Sequence, residues 1–343
     1  MGRYVLRRLL QAIPLLLIIS VALFVLMQNV GDPLATMGGR RPTRKEDRER
    51  LTRQLGLDKP VYVQYLYWLI GNDWTKVDLD GDGVPETQGT RKGVLRGDFG
   101  VSLVDKQPSL ELIWQRLPNT LLLMLAYEIV VILGALAVGI YSAVHQYSLT
   151  DHVVTAISFV LYSMPIFFIA LISMYICAVN FKKWGLPYFP TVGMFEPTEG
   201  KTVAQVAWHM VLPVASLALI SLAGYSRYVR STMLEVLNQD YIRTAKSKGL
   251  GSRYILFVHA LKNASLPLVT IIGLDLPTLL AGAIVTERIF AWPGMGRLFL
   301  DHVQRVDTPV VMAILMLVSV AVILFQILTD ITYAWLDPRI RYD

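Results

Sequence analysis

The chain has 343 residues, 54% of them hydrophobic and 17% charged, with a mean hydropathy of +0.48. Soluble domains carry about 25% charge, and disordered chains combine low hydrophobicity with high net charge, so both classes are excluded. One cysteine, Cys177, excludes a disulfide framework and any multi-cysteine metal site. In so apolar a chain, a formal net charge of +6 reads as basic rims around membrane segments rather than as a nucleic-acid surface.

A helix crosses the hydrocarbon with about 20 predominantly apolar residues, and six stretches reach that length. They run from about Leu9 to Val30, Asn119 to Val144, Val153 to Val179, Val206 to Ser226, Ala264 to Thr286 and Thr308 to Thr329. Glu128 is the lone charge of the second and Asp275 of the fifth, and the fourth carries His209. Pro165, Pro213 and Pro277 are expected to interrupt their spans. The expected fold is therefore all-α and polytopic, with six transmembrane helices and a small extracytoplasmic helical insertion. Arg3, Arg7 and Arg8, the seven basic residues between spans four and five, and Arg339 and Arg341 fall on one side. Lys and Arg in short flanks mark the cytoplasm, so both termini are expected there, in the cell (inner or plasma) membrane. The basic segment from Gly31 to Arg116 falls outside but is too long for the charge rule to govern. The first apolar run exceeds an ordinary signal peptide and lacks an A-x-A site, which favours an uncleaved helix.

The domains read as residues 1–30 (tail and first span), 31–116 (extracytoplasmic segment), 117–337 (a five-helix core containing a cytoplasmic loop at 227–263) and a cytoplasmic tail at 338–343. Within 31–116, Thr43 and Glu46 form a capping box that opens a charged helix to Leu55, stopped by Gly56. A second helix begins near Pro60 and ends at Gly71, and a third begins near Pro108 with Leu110, Ile113, Trp114 and Leu117 on one face. Between them Asp78, Asp80 and Asp82, then Gly83, Val84 and Glu86, match the first half of a calcium loop. Gly89 stands where the twelfth-position acid belongs. A structural calcium ion and a plain acidic turn are both open readings.

After span four, Gln239 to Arg253 reads as a helix stopped by Gly249, a turn through Gly251 and a second helix capped by Ser252 and reaching about Lys262. An amphipathic hairpin with small residues at its bend suits docking onto another protein, where it would act as a lever on spans four and five. A basic loop anchored at lipid headgroups is the competing reading.

The run Asp240-Tyr-Ile-Arg-Thr-Ala-Lys-Ser-Lys-Gly249, followed by His259-Ala-Leu-Lys-Asn263-Ala-Ser-Leu-Pro267, resembles the EAA loop of permeases from binding-protein-dependent ABC importers. The resemblance is to the oligopeptide, dipeptide and nickel branch, in its first permease type. Arg7-Arg8-Leu-Leu-Gln-Ala-Ile-Pro14, Leu55-Gly-Leu-Asp-Lys-Pro60, Arg96-Gly-Asp-Phe-Gly100, Glu287-Arg-Ile-Phe290-Ala-Trp292-Pro293-Gly294 and Asp337-Pro-Arg339 extend it along nearly the whole chain. The triplet Glu-Ala-Ala of the broader superfamily stands here as Arg243-Thr244-Ala245, and the segment Asp78 to Glu86 is not part of the family pattern. The resemblance implies an ABC importer type I permease fold and an importer half-channel. Its implied partners are a second homologous permease, two ATP-binding subunits that hold ATP and magnesium, and an extracytoplasmic substrate-binding protein. Asp240, Tyr241, Arg243, Ala245, Lys248, Gly249 and Gly251 would couple this chain to an ATPase, and peptides would be its cargo.

No nucleotide site of its own is expected. Gly200-Lys201-Thr202 mimics the end of a P-loop, but Phe195 stands where the first glycine belongs. There is neither an H-E-x-x-H nor a G-x-S-x-G motif, so an enzyme reading has no site. Ionisable residues inside spans usually face a protein interior or water. Glu128, Asp275 and the kink at Pro165 are therefore candidates for the translocation path, though helix–helix hydrogen bonding explains the two acids equally. A gradient-driven secondary transporter or channel using Glu128 and Asp275 is the alternative function. Phe290, Trp292 and Pro293 read as an outside gate or an interfacial aromatic anchor, with the anchor favoured.

Overall fold

The computed structural model describes residues 2–31, 34, 45–78, 82, 84–280 and 283–336. Helices dominate, and five of the described ones are long and apolar enough to cross a membrane: Gly2–Gln28, Ser109–Val144, Ile166–Lys183, Val203–Leu237 and Thr308–Trp335. A sixth crossing exists if Ser252–Ala264 and Pro267–Pro277, bent by 51° at their junction, are one broken span. Outward-facing apolar side chains such as Leu6, Ile18 and Leu26 on the first helix, each more than half exposed, suit a lipid-facing surface.

The chain divides into two compact units. One comprises residues 7–118 and 297–321. Its part of the first helix, α1 (Gly2–Gln28), is followed by α2 (Lys45–Leu55) and α3 (Val61–Ile70). Thr43 of the expected capping box lies outside the described residues. Pro60 is the cap residue rather than the first helical one, and Gly71 ends α3 at φ +94°, a conformation favouring glycine. Phe24, Met27 and Trp68 form a core with Val311 and Met312. On either side of the acidic segment, β1 (Lys76–Val77) pairs antiparallel with β2 (Thr87–Gln88), so the strands that flank it form a β-hairpin. Strands this short leave no alternation for a sequence to display.

A second focus in this unit is Asp307, fully buried just before the last long helix. Its carboxylate accepts from Ser102 Oγ at 2.5 Å and from the backbone N–H groups of Leu103 and Val104 at 3.0 and 3.3 Å. It also pairs with His302 Nδ1 at 2.9 Å, and His302 Nε2 lies 3.3 Å from Asp105. The loop 102–105 is thereby tied to the turn between Met295–Gln304 and Thr308–Leu336.

The other unit comprises residues 1–6, 119–296 and 322–343. Two of its helices are longer than expected. The helix from Ser109, α4, runs unbroken through Pro118 to Val144, so the expected surface helix near Pro108 and span two are one element. Span four is the 35-residue helix Val203–Leu237, which continues through Pro213. Span five keeps Pro277 inside Leu266–Leu280. Of the three prolines only Pro165 breaks its span, leaving Met164 and Pro165 extended between Leu149–Ser163 and Ile166–Met174. The residue before proline is sterically driven from the helical region. Pro213 and Pro277 instead lose one hydrogen bond each within a helix that packing holds together.

Helix Ser109–Val144 and helix Val203–Leu237 approach closely at two glycines. A Cβ on Gly134 would fall 2.2 Å from Leu222, and one on Gly139 would fall 2.7 Å from the Ser226 carbonyl oxygen. Small residues permit such approach in membrane helix pairs. Asp151, on the following helix Leu149–Ser163, joins Arg230 of Val203–Leu237 in a two-pronged ion pair at 2.7 and 2.8 Å. The shared core includes Tyr127, Val131, Leu217, Tyr225, Val229 and Met233.

Candidate functional site

The candidate coupling element is the hairpin after helix Val203–Leu237. Its first leg is Asp240–Ser247. Asp240 sits in the first turn, where a carboxylate favours the helix dipole. Gly249 follows at φ +76°, outside the range ordinary side chains favour. The second leg begins at Ser252, with Gly251 rather than Ser252 in the cap position. It runs as Ser252–Ala264 through a π-helical stretch, Ile255–Ala260. Ile242 and Ala245 point inward and join Ile255, Ala260, Ala264, Val229 and Met233 in one core. Asn263 Nδ2 donates to the Tyr241 hydroxyl at 3.0 Å, tying the two legs together. Thr232 Oγ1 donates to the Ala264 carbonyl at 3.0 Å, anchoring the second leg to the long helix at the 51° bend.

The seven expected coupling residues therefore divide. Ala245 is 7% exposed and is a packing residue. Asp240, Tyr241, Arg243, Lys248, Gly249 and Gly251 are all exposed and lie together at the bend and along the outer face. A Cβ placed on Gly249 or Gly251 would meet nothing within 4 Å. The bend is open ground that none of the described residues occupies.

Inside the bundle, Tyr127 and Glu128 on α4 lie near Tyr225 and Ser221 on helix Val203–Leu237 and Asp275 on helix Leu266–Leu280. The Tyr127 hydroxyl donates to Ser221 Oγ at 2.6 Å, and the Tyr225 hydroxyl donates to Asp275 Oδ2. Glu128 is 6% exposed, and both its oxygens are buried without a hydrogen-bond partner. Sequence reading named the two acids but missed the tyrosines and Ser221. The spacing of Ser221 and Tyr225, one helical turn apart and so on one face of the helix, is the signal that could have found them. Pro165 is the break in span three and belongs to no part of this cluster's bonding.

A third constellation surrounds Glu287, fully buried in Ile284–Ile289. Thr120 Oγ1 donates to Glu287 Oε1 at 3.1 Å and accepts from the Met295 N–H at 2.7 Å. Trp292 Nε1 donates to the Asn119 carbonyl at 3.0 Å, and Asn119 Nδ2 donates to the Pro293 carbonyl at 2.9 Å. A Cβ on Gly294 would sit 2.3 Å from the Glu287 carboxylate, which explains a glycine there. Phe290 and Trp292 are 1% and 0% exposed. The interfacial-anchor expectation is thus corrected: an anchor meets headgroups, whereas these rings fill a core.

Among the described residues no group of three or more His, Cys, Asp or Glu side chains is arranged to hold a metal ion. Of the calcium candidates, Asp80 lies outside the described residues, and Asp82 Oδ1 accepts from the Val84 N–H at 2.7 Å. The hairpin flanks Asp78 and Glu86 with strands, not the helices of an EF-hand.

Residues 135–342 match the model of the binding-protein-dependent transport system inner membrane component, and residues 1–124 match the N-terminal model of such membrane components. The chain belongs to this family. The oligopeptide transport system permease protein AppB of Bacillus subtilis is 41% identical over 344 residues, covering 100% of both chains. The dipeptide transport system permease protein DppB of Escherichia coli K12 is 37% identical over 364 residues, covering 100% of this chain and 99% of that one. A chain of the MetNI methionine ABC transporter, solved in inward-facing conformations, superposes with a TM-score of 0.52 at 16% identity. The match covers 66% of this chain and 97% of that one. At that identity it speaks for the fold alone, and it supports the type I permease architecture. Family membership makes the chain a multi-pass membrane component of a transport system. The secondary-transporter alternative finds no support in these relationships.

Proposed function

We propose that this chain is one permease subunit of an ATP-driven importer of peptides. It forms half of a translocation path that works by alternating access. The observation that carries the reading is end-to-end similarity to permeases named for oligopeptides and dipeptides, joined to an exposed, braced hairpin at the family's coupling-loop position. In this reading the bend at Asp240–Gly251 faces the cytoplasm, with both termini on that side, and seats in one of two ATP-binding subunits. ATP and magnesium reside in those subunits, and the chain carries out no catalysis itself. A second permease completes the path, and an extracytoplasmic binding protein delivers cargo. Glu128 and Asp275 stand on or beside the path. Calcium at 78–86 is a separate structural reading, tested by calcium-dependent heat in a titration of the chain.

Gly251 offers the test. Its backbone is extended, at φ −63° and ψ 142°, which any residue adopts. A Cβ there meets nothing. Gly251→Trp should therefore leave membrane insertion and folding unchanged while peptide uptake and cargo-stimulated ATP hydrolysis of the reconstituted complex fall together. Gly251→Ser serves as the small control. Normal uptake by the Trp variant would refute docking at this bend.

A further inference from the structure

Residues of the unit formed by 7–118 and 297–321 enclose a cavity of about 70 Å³ that the transport reading leaves unused. Its apolar wall includes Phe24, Met27, Leu57, Trp68, Leu103 and Pro309. Two donors in the wall have no acceptor among the described residues. Trp68 is only 8% exposed, and its indole N–H is buried with no hydrogen-bond partner. Arg91 also lines the cavity. Its backbone carbonyl accepts from the N–H groups of Asn72 and Asp73 at 3.0 and 3.3 Å, yet its guanidinium donates to none of the described residues.

Asp98, the acid that also lines the cavity, is committed elsewhere. Its Oδ1 accepts from the Gly100 N–H and its Oδ2 from the Lys92 N–H, each at 2.9 Å. Burial holds the Arg91 guanidinium below its ordinary value, against the pull of Asp98. The buried Trp68 N–H without an acceptor raises the free energy of the folded chain, and an anionic acceptor entering the cavity beside the half-buried Arg91 would relieve that cost. Apolar walls around a few convergent polar groups are the usual make-up of a small-molecule site. A planar guanidinium matches the two oxygens of a carboxylate.

We propose that this cavity binds a small amphiphilic carboxylate, whose oxygens accept from the Arg91 guanidinium and the Trp68 indole N–H while its carbon chain lies along Phe24, Met27, Leu57 and Leu103. Two sources share that chemistry: the carboxyl end of a short peptide with an apolar last residue, and a short fatty acid. The site stands apart from the transport reading, because binding is measured without uptake or ATP.

The test titrates the intact chain in lipid nanodiscs calorimetrically with hexanoate, glycyl-leucine and glycyl-leucinamide, against empty nanodiscs. At least one acid should bind, and the amide should bind about tenfold more weakly than its parent acid or not at all; which acid binds names the source. Arg91→Gln should weaken the acid by about tenfold, whereas Arg91→Lys, which keeps the charge but loses the planar fork, should weaken it only about threefold. The backbone bonds of residue 91 survive both changes, so the larger loss in Gln separates lost charge from lost fold. Trp68→Phe keeps a ring in the wall, deletes the N–H and should weaken binding by about threefold. No heat from either acid, an amide as tight as glycyl-leucine where that acid binds, or full binding in Arg91→Gln would overturn the proposal.

Discussion

Two buried carboxylates in this chain are built on opposite plans. Asp307, fully buried, gathers a serine hydroxyl, two backbone N–H groups and an imidazole. Glu128, nearly as buried, gathers none among the described residues. A buried acid surrounded by donors is explained by the structure it holds together, and here that structure is the tie between the 102–105 loop and the turn before the last helix. A buried acid with no donors is not explained by stability, because an apolar side chain of the same size would serve as well or better. The first is a fastener; the second needs a reason outside the packing of its own chain.

The largest expected effect follows from the fastener. Asp307→Asn replaces an acceptor-only group with one that presents an NH₂ to donors, and it should destabilise its unit by about 3 kcal/mol. Amide hydrogen exchange at Leu103 and Val104 should rise accordingly, and unchanged protection would mean the carboxylate fastens nothing. Acid should loosen the same tie. Burial works against the Asp307 charge, but the hydrogen bonds from His302, Ser102 and the Leu103 N–H outweigh it and leave the carboxyl below its ordinary value. Because the folded-state value is depressed, the stabilisation is complete above the unfolded carboxylate value of about 3.9 and disappears as pH falls through the folded one. Leu103 protection should therefore hold from neutrality down to about pH 4 and collapse below it, and the collapse should be absent in Asp307→Asn.

Neither carboxylate's situation was equally legible beforehand. Hydropathy located every apolar stretch, and Glu128 and Asp275 stood out because a charge within an apolar run is conspicuous. The hairpin after helix Val203–Leu237 was legible too, since Gly249 and Gly251 punctuate a periodic pattern. What composition could not supply was continuity. A helix beginning near Pro108 and a span beginning near Asn119 read as two elements, yet Ser109–Val144 passes unbroken through Pro118, because tertiary packing outweighs one lost hydrogen bond. Pro165 carries the same local signal and does break its span. The Asp307 node was invisible because its partners at 102–104 lie some two hundred positions away in the chain. Trp292 was misread for a similar reason: an aromatic beside a span fits an anchor until Asn119 is found accepting its N–H.

A middle-sized effect belongs to the hairpin, which differs from both acids in being open. Gly249→Val forces a β-branched residue to φ +76° and should cost about 1–2 kcal/mol locally. Gly249→Asn should cost less, since asparagine visits that region more readily. Exchange protection of Lys248 and Leu250 measures both. If Asn and Val are equally harmful to uptake while differing in protection, the exposed surface and not the backbone turn is what the partner reads. Uptake that tracks protection reverses that conclusion.

The smallest structural effect is expected at the unfastened acid, and it is the most informative. Glu128→Gln removes no hydrogen bond, because Glu128 makes none with the described residues, and should change stability by less than about 0.5 kcal/mol. Asp275→Asn provides the contrast, since Asp275 accepts from Tyr225 and its loss should be felt in the packing of the helices that carry them. Thermal aggregation midpoints of the purified complex measure stability, and peptide uptake into vesicles measures transport. A Gln variant that is as stable as the parent but transports poorly places Glu128 on the translocation path, where an anionic side chain is needed for cargo rather than for fold. If both measurements are unchanged, the path lies elsewhere, and the orphaned carboxyl serves neither stability nor transport.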